Sequence, residues 1–272
     1  MMKMWWMVWL FACLSALATP PAGTAPIVGG ERAFLYGGAA KGKWLDTATV
    51  QPMLTGGERY RLYSAARFLG IGTGSAARED GGTSPCIALT LPAGVKDGEV
   101  VVGVSGAWNA LPRVPKAQDL SQKTYQDVVR ELLARKGLPG APVRLKKLWR
   151  LDLEGDGVEE VLIEAATPRA GFGRETPYKR GDYSLVLLRK VVNGTARTIP
   201  LALSYYLHDA SPDLPYHAPP IIHTLQGAFD LNGDGNMEVV IRSDATAERW
   251  DSVFEIHGAT PKATALSGGD WI

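Results

Sequence analysis

Cysteine is scarce in this chain: two occur in 272 residues, Cys13 and Cys86. If the N-terminus is cleaved after Ala18, only Cys86 remains, and no intramolecular disulfide can form. Cys86 begins the apolar run Cys86-Ile87-Ala88-Leu89, a setting typical of a buried, unreactive thiol. Disulfide-stapled scaffolds are therefore excluded, and the stability of the fold must come from a packed core or from a bound metal as well.

An excess of charge of one sign is also absent. Lysine and arginine total 29 against 28 acidic residues, and nucleic acid or anionic lipid would be attracted by a much larger basic field. Neither is an expected partner. Beyond its N-terminus the sequence lacks an apolar run of the roughly 20 residues that cross a bilayer, so we expect no transmembrane helix in the mature chain. The composition, 46% hydrophobic and 21% charged, is that of a globular protein.

The N-terminus predicts export. A basic start at Lys3 is followed by a short apolar segment and by Ala16-Leu17-Ala18, the small-x-small pattern that signal peptidase accepts. We expect a signal peptide over residues 1–18 and an extracytoplasmic bacterial protein, periplasmic or secreted. The run Leu10-Phe11-Ala12-Cys13 also resembles a lipobox, which leaves lipid anchoring through Cys13 open.

The rest of the sequence divides into three parts. Residues 19–30 are rich in Pro, Gly and Ala and predict a linker. Residues 31–115 alternate short aromatic and β-branched segments with Gly and Pro, which predicts an N-terminal β-rich unit. Inside this unit, the glycine-dense segment 70–74 predicts a flexible loop. Residues 119–272 predict a C-terminal part made of one helix and two β repeats.

The helix is expected between Ser121 and Gly137, where five apolar residues recur at i, i+3, i+4, i+7 and i+8. Ser121 or Thr124 can cap its start, and Gly137 can end it. Its apolar stripe must lie on the sheet that follows. The fold class is therefore mainly β with one amphipathic helix, an α+β arrangement.

Two acidic segments share one plan: LWRLDLEGDGVEEVLIEA (148–165) and QGAFDLNGDGNMEVVIRS (226–243). Each has an apolar lead-in, the pattern D-L-x-G-D-G-x-x-E and then three aliphatic residues. The segments that follow, YSLVLLRK and DSVFEIHG, also correspond loosely. This self-similarity indicates a duplicated supersecondary unit. We name residues 152–160 loop 1 and residues 230–238 loop 2.

The spacing in each loop suits a hard divalent cation. Side chains at positions 1, 3 and 5 of a tight loop can converge on one point, and a glycine at position 6 permits the sharp turn. The position-7 carbonyl and the position-9 carboxylate can complete the shell, so the sequence predicts calcium. In loop 1 the candidate ligands are Asp152, Glu154, Asp156, the Val158 carbonyl and Glu160, and in loop 2 they are Asp230, Asn232, Asp234, the Asn236 carbonyl and Glu238.

An EF-hand fits the loops poorly, because position 12 would be a bidentate glutamate flanked by helices. Position 12 is instead Ile163 or Ile241, inside aliphatic runs that favour β-strands. A strand-loop-strand site fits better. The alternative is a purely structural turn, in which Asp and Asn bond their own backbone and Gly supplies a positive φ.

The loops with their flanking strands resemble the FG-GAP or VCBS type repeat, the calcium-loop module of integrin-like propeller blades, whose loop reads D-x-D-x-D-G-x-x-D. The resemblance implies that the ligands named above hold calcium in a surface or secreted binding module. Two departures are the Glu at position 9 in both loops and the unlike residues at position 3, Glu154 and Asn232. Since a propeller usually needs at least four blades, two copies predict an incomplete, propeller-like or sandwich sheet.

The function expected from these features is calcium binding by a non-enzymatic binding or structural module of the bacterial envelope or secretome, with an envelope protein or a glycan as a possible partner. The alternative is a secreted hydrolase or glycan-active enzyme that uses the repeats as scaffold. Its site would lie in the N-terminal unit or in the proline-rich stretch LHDASPDLPYHAPPIIH, where His208, His217 and His223 accompany Asp209 and Asp213. The spacing of these histidines matches no zinc pattern, and a connecting loop is the simpler interpretation.

Overall fold

The protein is mainly β, as expected. A computed structural model describes residues 23–30, 32–79, 84–96, 98–169, 172–173, 176–211, 218–258 and 260–271. The named strands form three antiparallel sheets, each of them open. The strands are β1 (Ala25–Gly29), β2 (Phe34–Ala40), β3 (Lys43–Leu45), β4 (Arg59–Tyr63), β5 (Phe68–Gly74), β6 (Leu89–Thr90), β7 (Val102–Val104), β8 (Lys116–Ala117), β9 (Leu145–Leu151), β10 (Glu160–Ala166), β11 (Tyr183–Val192), β12 (Thr195–Tyr205), β13 (Ile222–Phe229), β14 (Glu238–Asp244), β15 (Glu248–Glu255) and β16 (Lys262–Trp271); the helices are α1 (Thr47–Val50), with a 3-10 turn over Gln51–Met53, and α2 (Lys123–Arg135).

The first sheet has the order β3-β2-β1-β7-β4-β5-β6. Its strand β1 corrects the expected linker over residues 19–30, since Ala25–Gly29 is buried and pairs with β2 and β7. Ile27 and Val28 are fully buried in two different hydrophobic clusters, so β1 serves both faces of the sheet. Gly29 is needed there because the ring of Tyr36 occupies the space of a Cβ. Composition alone therefore misassigned this segment. Residues 1–18, the expected signal peptide, lie outside the described part.

The expected flexible loop at residues 70–74 is wrong as well, because these residues belong to β5. The alternating glycines give room to neighbours in the sheet. A Cβ on Gly72 would lie 2.8 Å from Leu62, and one on Gly74 would lie 2.6 Å from Tyr60. The glycines here allow close packing of β5 on its neighbours instead of mobility.

The expected helix is present as α2. Its stripe of Val129, Leu132 and Leu133 is buried in a cluster that also holds side chains from β9, β10 and β11. Gly137 ends the helix with φ +87°, and the N–H of Leu138 donates to the Leu133 carbonyl at 2.9 Å, as in a Schellman motif. The expected cap at Ser121 or Thr124 is wrong: Gln122 is the N-cap, without a side-chain hydrogen bond.

Each acidic segment lies within an antiparallel meander. The second sheet has the order β12-β11-β10-β9-β8, and the third has the order β13-β14-β15-β16. Loop 1 joins β9 to β10 and loop 2 joins β13 to β14, so both are strand-loop-strand turns. Asn193 and Gly194 form the two-residue turn between β11 and β12, both with positive φ.

The N-terminal and C-terminal parts share one hydrophobic core. One cluster contains Ile27 and Val104 of the first sheet together with Leu162 of the second and Val240 and Leu266 of the third. A buried polar contact crosses the same junction, as the Tyr36 hydroxyl donates to Asp251. The guanidinium of Arg242 donates to the other oxygen of that carboxylate at 3.1 Å. The buried charges of Arg242 and Asp251 therefore compensate each other. Together with Tyr36, these residues join β2 to β14 and β15.

Candidate metal site in the two acidic loops

The two loops have the same backbone conformation and the same first-position hydrogen bonds. In loop 1, Asp152 accepts the N–H groups of Gly155 at 2.6 Å and Gly157 at 2.9 Å, one on each carboxylate oxygen. In loop 2, Asp230 accepts those of Gly233 at 2.6 Å and Gly235 at 3.1 Å. The first aspartate thus holds each turn closed, so the duplication extends to atomic detail.

Positions 4 and 6 of both loops need glycine. Gly155 and Gly157 have φ values of +72° and +85°, and Gly233 and Gly235 have +79° and +91°. This left-handed conformation strains any residue with a Cβ. The need for glycine at position 6 was expected from the sequence, whereas the need for glycine at position 4 follows from the structure.

The closing glutamates are buried at the base of each loop. Glu160 accepts the N–H of Leu153 at 2.9 Å, and Glu238 accepts that of Leu231 at 2.8 Å. Glu160 is 2% exposed and Glu238 is 0% exposed. Both carboxyl groups therefore face the loop interior and have lost their hydration.

The loops lie side by side, and one segment of the chain contacts both. The N–H of Met237 donates to the Leu153 carbonyl at 2.8 Å. The Arg113 guanidinium donates to the carbonyls of Asp152 at 2.5 Å and Gly235 at 2.6 Å. Trp108, five residues earlier, donates its indole N–H to the Asp230 carbonyl at 2.8 Å. These contacts were missed by sequence reasoning, because no local pattern links residues 108–113 to the loops.

A lysine of the neighbouring strand β11 is paired with an acid of loop 1. The Lys190 ammonium lies 2.5 Å from one oxygen of Glu154, and the N–H of Gly258 donates to the other oxygen at 3.1 Å. Burial raises the pKa of Glu160, whereas the Leu153 N–H and the Lys190 charge act in the opposite direction. Burial would also raise the pKa of Asp152, but its three backbone N–H donors and Arg113 lower it overall.

Loop 2 holds its carboxylates without such a cation. Within the described residues, the Glu238 Oε1 atom is buried and has no hydrogen-bond partner. Burial, together with the charges of Asp234, Asp230 and Glu255, raises the pKa of Glu238 to about 9. Burial likewise raises the pKa of Asp230 despite its N–H donors. Loop 2 therefore gathers acidic groups in a desolvated place, where Glu238 keeps its proton at neutral pH unless a cation replaces that proton.

The remaining ligands of loop 2 bond to one another. Asn232 accepts the N–H of Asp234 at 2.9 Å and donates its amide to the Asp234 carboxylate at 3.0 Å. Asp234 also accepts the N–H of Asn236 at 2.8 Å. In loop 1, Asp156 accepts the N–H of exposed Val158 at 2.9 Å, while Glu154 is paired with Lys190. The ligands predicted for loop 2 are thus clustered, and those of loop 1 are divided between the loop and Lys190.

The described part of the chain contains no group of three or more His, Cys, Asp or Glu residues in an arrangement that could hold a metal as it stands. In both loops the aspartates are engaged with backbone N–H groups. Binding by loop 2 would also draw on an amide and a backbone carbonyl, which are not among those residue types. It would require the side chains of Asn232 and Asp234 to exchange their mutual bonds for the cation.

The histidines do not form a site in the described residues. His208 and His257 are exposed, and His217 and Asp213 lie outside the described part. His223 is buried in β13, where Nδ1 lies 2.9 Å from Ser243 Oγ and Nε2 lies 2.8 Å from Ser204 Oγ. Desolvation lowers the pKa of His223 to about 4. It is a neutral side chain that joins the second and third sheets.

The described helices include none with the length and apolarity that a membrane span requires. Comparison of the chain with protein-family models, with curated proteins and with solved structures gave no match. The assignment of function therefore depends on the chemistry of the two acidic loops.

Proposed function

We propose that the protein binds calcium at loop 2 and uses the ion to hold its three sheets together. The ligands would be the side chains of Asp230, Asn232, Asp234 and Glu238 and the carbonyl of Asn236. These are oxygen donors of the type that calcium prefers, and a flexible set of six to eight such oxygens is its usual shell. The ion would supply positive charge where the chain places several carboxylates.

The observation that carries the proposal is the unpartnered oxygen of Glu238. A buried carboxylate oxygen without a donor is costly, and chains rarely keep one without a ligand to satisfy it. Glu238 is fully buried, and only its other oxygen accepts a hydrogen bond, from Leu231. A simple turn would need the glycines and the first aspartate, but it would not need this acid.

A structural role is favoured by the position of loop 2. The Asp230 N–H donates to the Ala110 carbonyl at 2.8 Å, and the Ala110 N–H donates to the Tyr63 hydroxyl at 3.1 Å. Loop 2 is therefore linked through residues 108–110 to β4 of the first sheet. An ion that orders loop 2 would stabilise this junction.

We place the protein outside the cytoplasm because residues 1–18 resemble a signal peptide. It would act there as a binding or structural module of the envelope or secretome, with loops of the FG-GAP or VCBS type.

Titration calorimetry with CaCl2 on the full chain tests the proposal. The wild type should bind calcium, and Asp234→Ala, which removes an exposed ligand, should weaken binding by about tenfold or more. Asp127→Ala, which removes an acid from α2 away from both loops, is the control and should bind like the wild type. Magnesium should bind more weakly, because it requires a near-ideal octahedral shell. Absence of any heat of binding at millimolar CaCl2, or equal binding by Asp234→Ala, would refute it.

A further inference from the structure

The two repeats differ in charge at one equivalent position. Strand β11 pairs with β10 so that Arg189 lies opposite Val161, and β15 pairs with β14 so that Phe254 lies opposite Val239. Each of these pairs lies one residue beyond a closing glutamate. The next residues along, Lys190 and Glu255, therefore stand at the same place beside Glu160 and Glu238. The sequence alone does not reveal this equivalence, because the two repeats have different spacings between loop and third strand.

Lys190 is built into loop 1 as a counter-ion. Its side chain is 4% exposed, and its ammonium is 2.5 Å from Glu154, the position-3 acid. The second oxygen of Glu154 is taken by the N–H of Gly258. A buried ion pair of this kind keeps its geometry, since removing one partner would leave the other charge unpaired. Glu154 is therefore held by Lys190 and is not free to join Asp152 and Asp156 around a cation.

Loop 2 has the opposite arrangement. Glu255 adds a carboxylate where loop 1 has an ammonium, and it accepts the indole N–H of Trp44 at 2.5 Å. Position 3 is the neutral Asn232, whose bonds are to Asp234 within the loop. No lysine or arginine is ion-paired to Asp230, Asp234 or Glu238 among the pairs found in the described residues. Loop 2 therefore has no internal counter-ion equivalent to Lys190, and a bound cation would take that role.

We infer that Lys190 takes the place of the metal in loop 1, so that the protein binds a single calcium ion, in loop 2, and that the residue at the Lys190/Glu255 position decides which loop needs metal. This inference deepens the proposed function and rests on it. An internal ammonium compensates one carboxylate of the first loop permanently, whereas the second loop gains a positive counter-charge only when calcium binds. The duplicated unit thus has one metal-independent copy and one metal-dependent copy.

The test is the stoichiometry of CaCl2 binding to the full chain, measured by titration calorimetry. The wild type should bind one ion. Asp234→Ala in loop 2 should weaken binding by about tenfold or more, and Asp156→Ala, at the equivalent exposed position of loop 1, should leave it unchanged. Lys190→Glu, which places at this position the carboxylate that Glu255 supplies beside loop 2, should raise the stoichiometry to two. Arg189→Gln removes the neighbouring cation on the same strand and is the control that should remain at one.

The reciprocal substitution at Glu255 gives a second, independent test of the inference. Glu255→Lys places an ammonium beside Glu238, so this variant should lose calcium binding, and its melting temperature should no longer respond to CaCl2. It is informative even if Lys190→Glu fails to fold, because it introduces a counter-ion instead of removing one. A folded Glu255→Lys that binds one ion with wild-type affinity would overturn the inference.

The outcomes separate the two claims. A wild type that binds two ions, or a folded Lys190→Glu that binds only one, overturns the role of Lys190 and leaves calcium binding intact. A wild type that binds none overturns the proposed function itself. One ion that is lost in Asp156→Ala and kept in Asp234→Ala would place the metal in loop 1 and overturn both assignments.

Discussion

The indole ring of Trp108 lies against Gly233, and its N–H donates to the backbone carbonyl of Asp230 at 2.8 Å. A Cβ on Gly233 would lie only 2.9 Å from the ring, so the contact depends on the bare glycine of loop 2. Trp108 thus covers the turn that carries the proposed calcium ligands. Any rearrangement of this turn must change the environment of the indole.

Calcium should therefore change the tryptophan fluorescence of the protein, and Trp108 should be the main reporter. Trp108→Phe should remove most of the change while calorimetry still detects binding, weakened because the hydrogen bond to Asp230 is lost. A net hydrogen bond contributes about 1 kcal/mol, so the loss in affinity should be several-fold.

Trp149→Phe is the control for this measurement, since Trp149 lies on β9, whose residues pair with β10 and β8. Its fluorescence response to CaCl2 should match that of the wild type. A full response in Trp108→Phe would contradict the link between this indole and loop 2.

Calcium should raise the melting temperature, and Glu238→Gln should remove that effect. At a free calcium concentration of 100 times Kd, binding to the folded state alone stabilises it by about 2.7 kcal/mol. The amide preserves the volume of Glu238 and an acceptor for Leu231, but it lacks the charge that calcium would neutralise. Without calcium the variant should be at least as stable as the wild type, because the buried carboxyl group has no second partner. Thermal melts with CaCl2 and with chelator check both statements, and a calcium response of wild-type size in Glu238→Gln would contradict them.

Two glycine variants of loop 2 should differ in severity. Gly235→Ala meets no atom within 4 Å, so its cost is the backbone strain at φ +91°, roughly 1–2 kcal/mol. Gly233→Ala adds a steric conflict with Trp108 to the same strain. Urea unfolding should therefore show a larger loss of stability for Gly233→Ala than for Gly235→Ala. Equal losses would mean that the indole moves aside without cost.

The contribution of His223 to stability should be lost in mild acid. Desolvation lowers its pKa to about 4 in the folded protein, below its ordinary value of 6.5. Between these values the unfolded chain binds a proton that the folded chain does not, so this contribution to stability is complete above pH 6.5 and is lost as the pH falls towards 4. The loss amounts to roughly 3 kcal/mol. Urea midpoints measured across this range should decline less in His223→Gln than in the wild type, and parallel profiles would contradict the assignment.

The parts of the fold that follow local signals could be predicted from the sequence. The periodic stripe of α2 is set by neighbours in the chain, and the helix was placed correctly. Segments 25–29 and 70–74 were misjudged, because their glycines are selected by distant side chains such as Tyr36 and Tyr60. A glycine-rich strand and a glycine-rich loop have the same composition, and only tertiary packing separates them.

The candidate site likewise combines features that local sequence patterns predict with features that depend on tertiary packing. The first aspartates, the glycines and the closing glutamates of the loops follow from spacing, and their hydrogen bonds repeat from one loop to the other. The equivalence of Lys190 and Glu255 depends on the register of β11 on β10 and of β15 on β14. The loose similarity of YSLVLLRK and DSVFEIHG does not define that register. The contacts of Trp108 and Arg113 depend on how the sheets meet, which no pairwise pattern encodes.

The core shared by all three sheets has a consequence for how the chain can be dissected. Separate expression of residues 31–115 and 119–272 would expose the apolar faces that now cover each other, and would leave Asp251 without the hydroxyl of Tyr36. Exposed apolar surfaces of this kind promote aggregation. The chain is expected to tolerate point substitution much better than truncation, and its two halves belong to one cooperative unit.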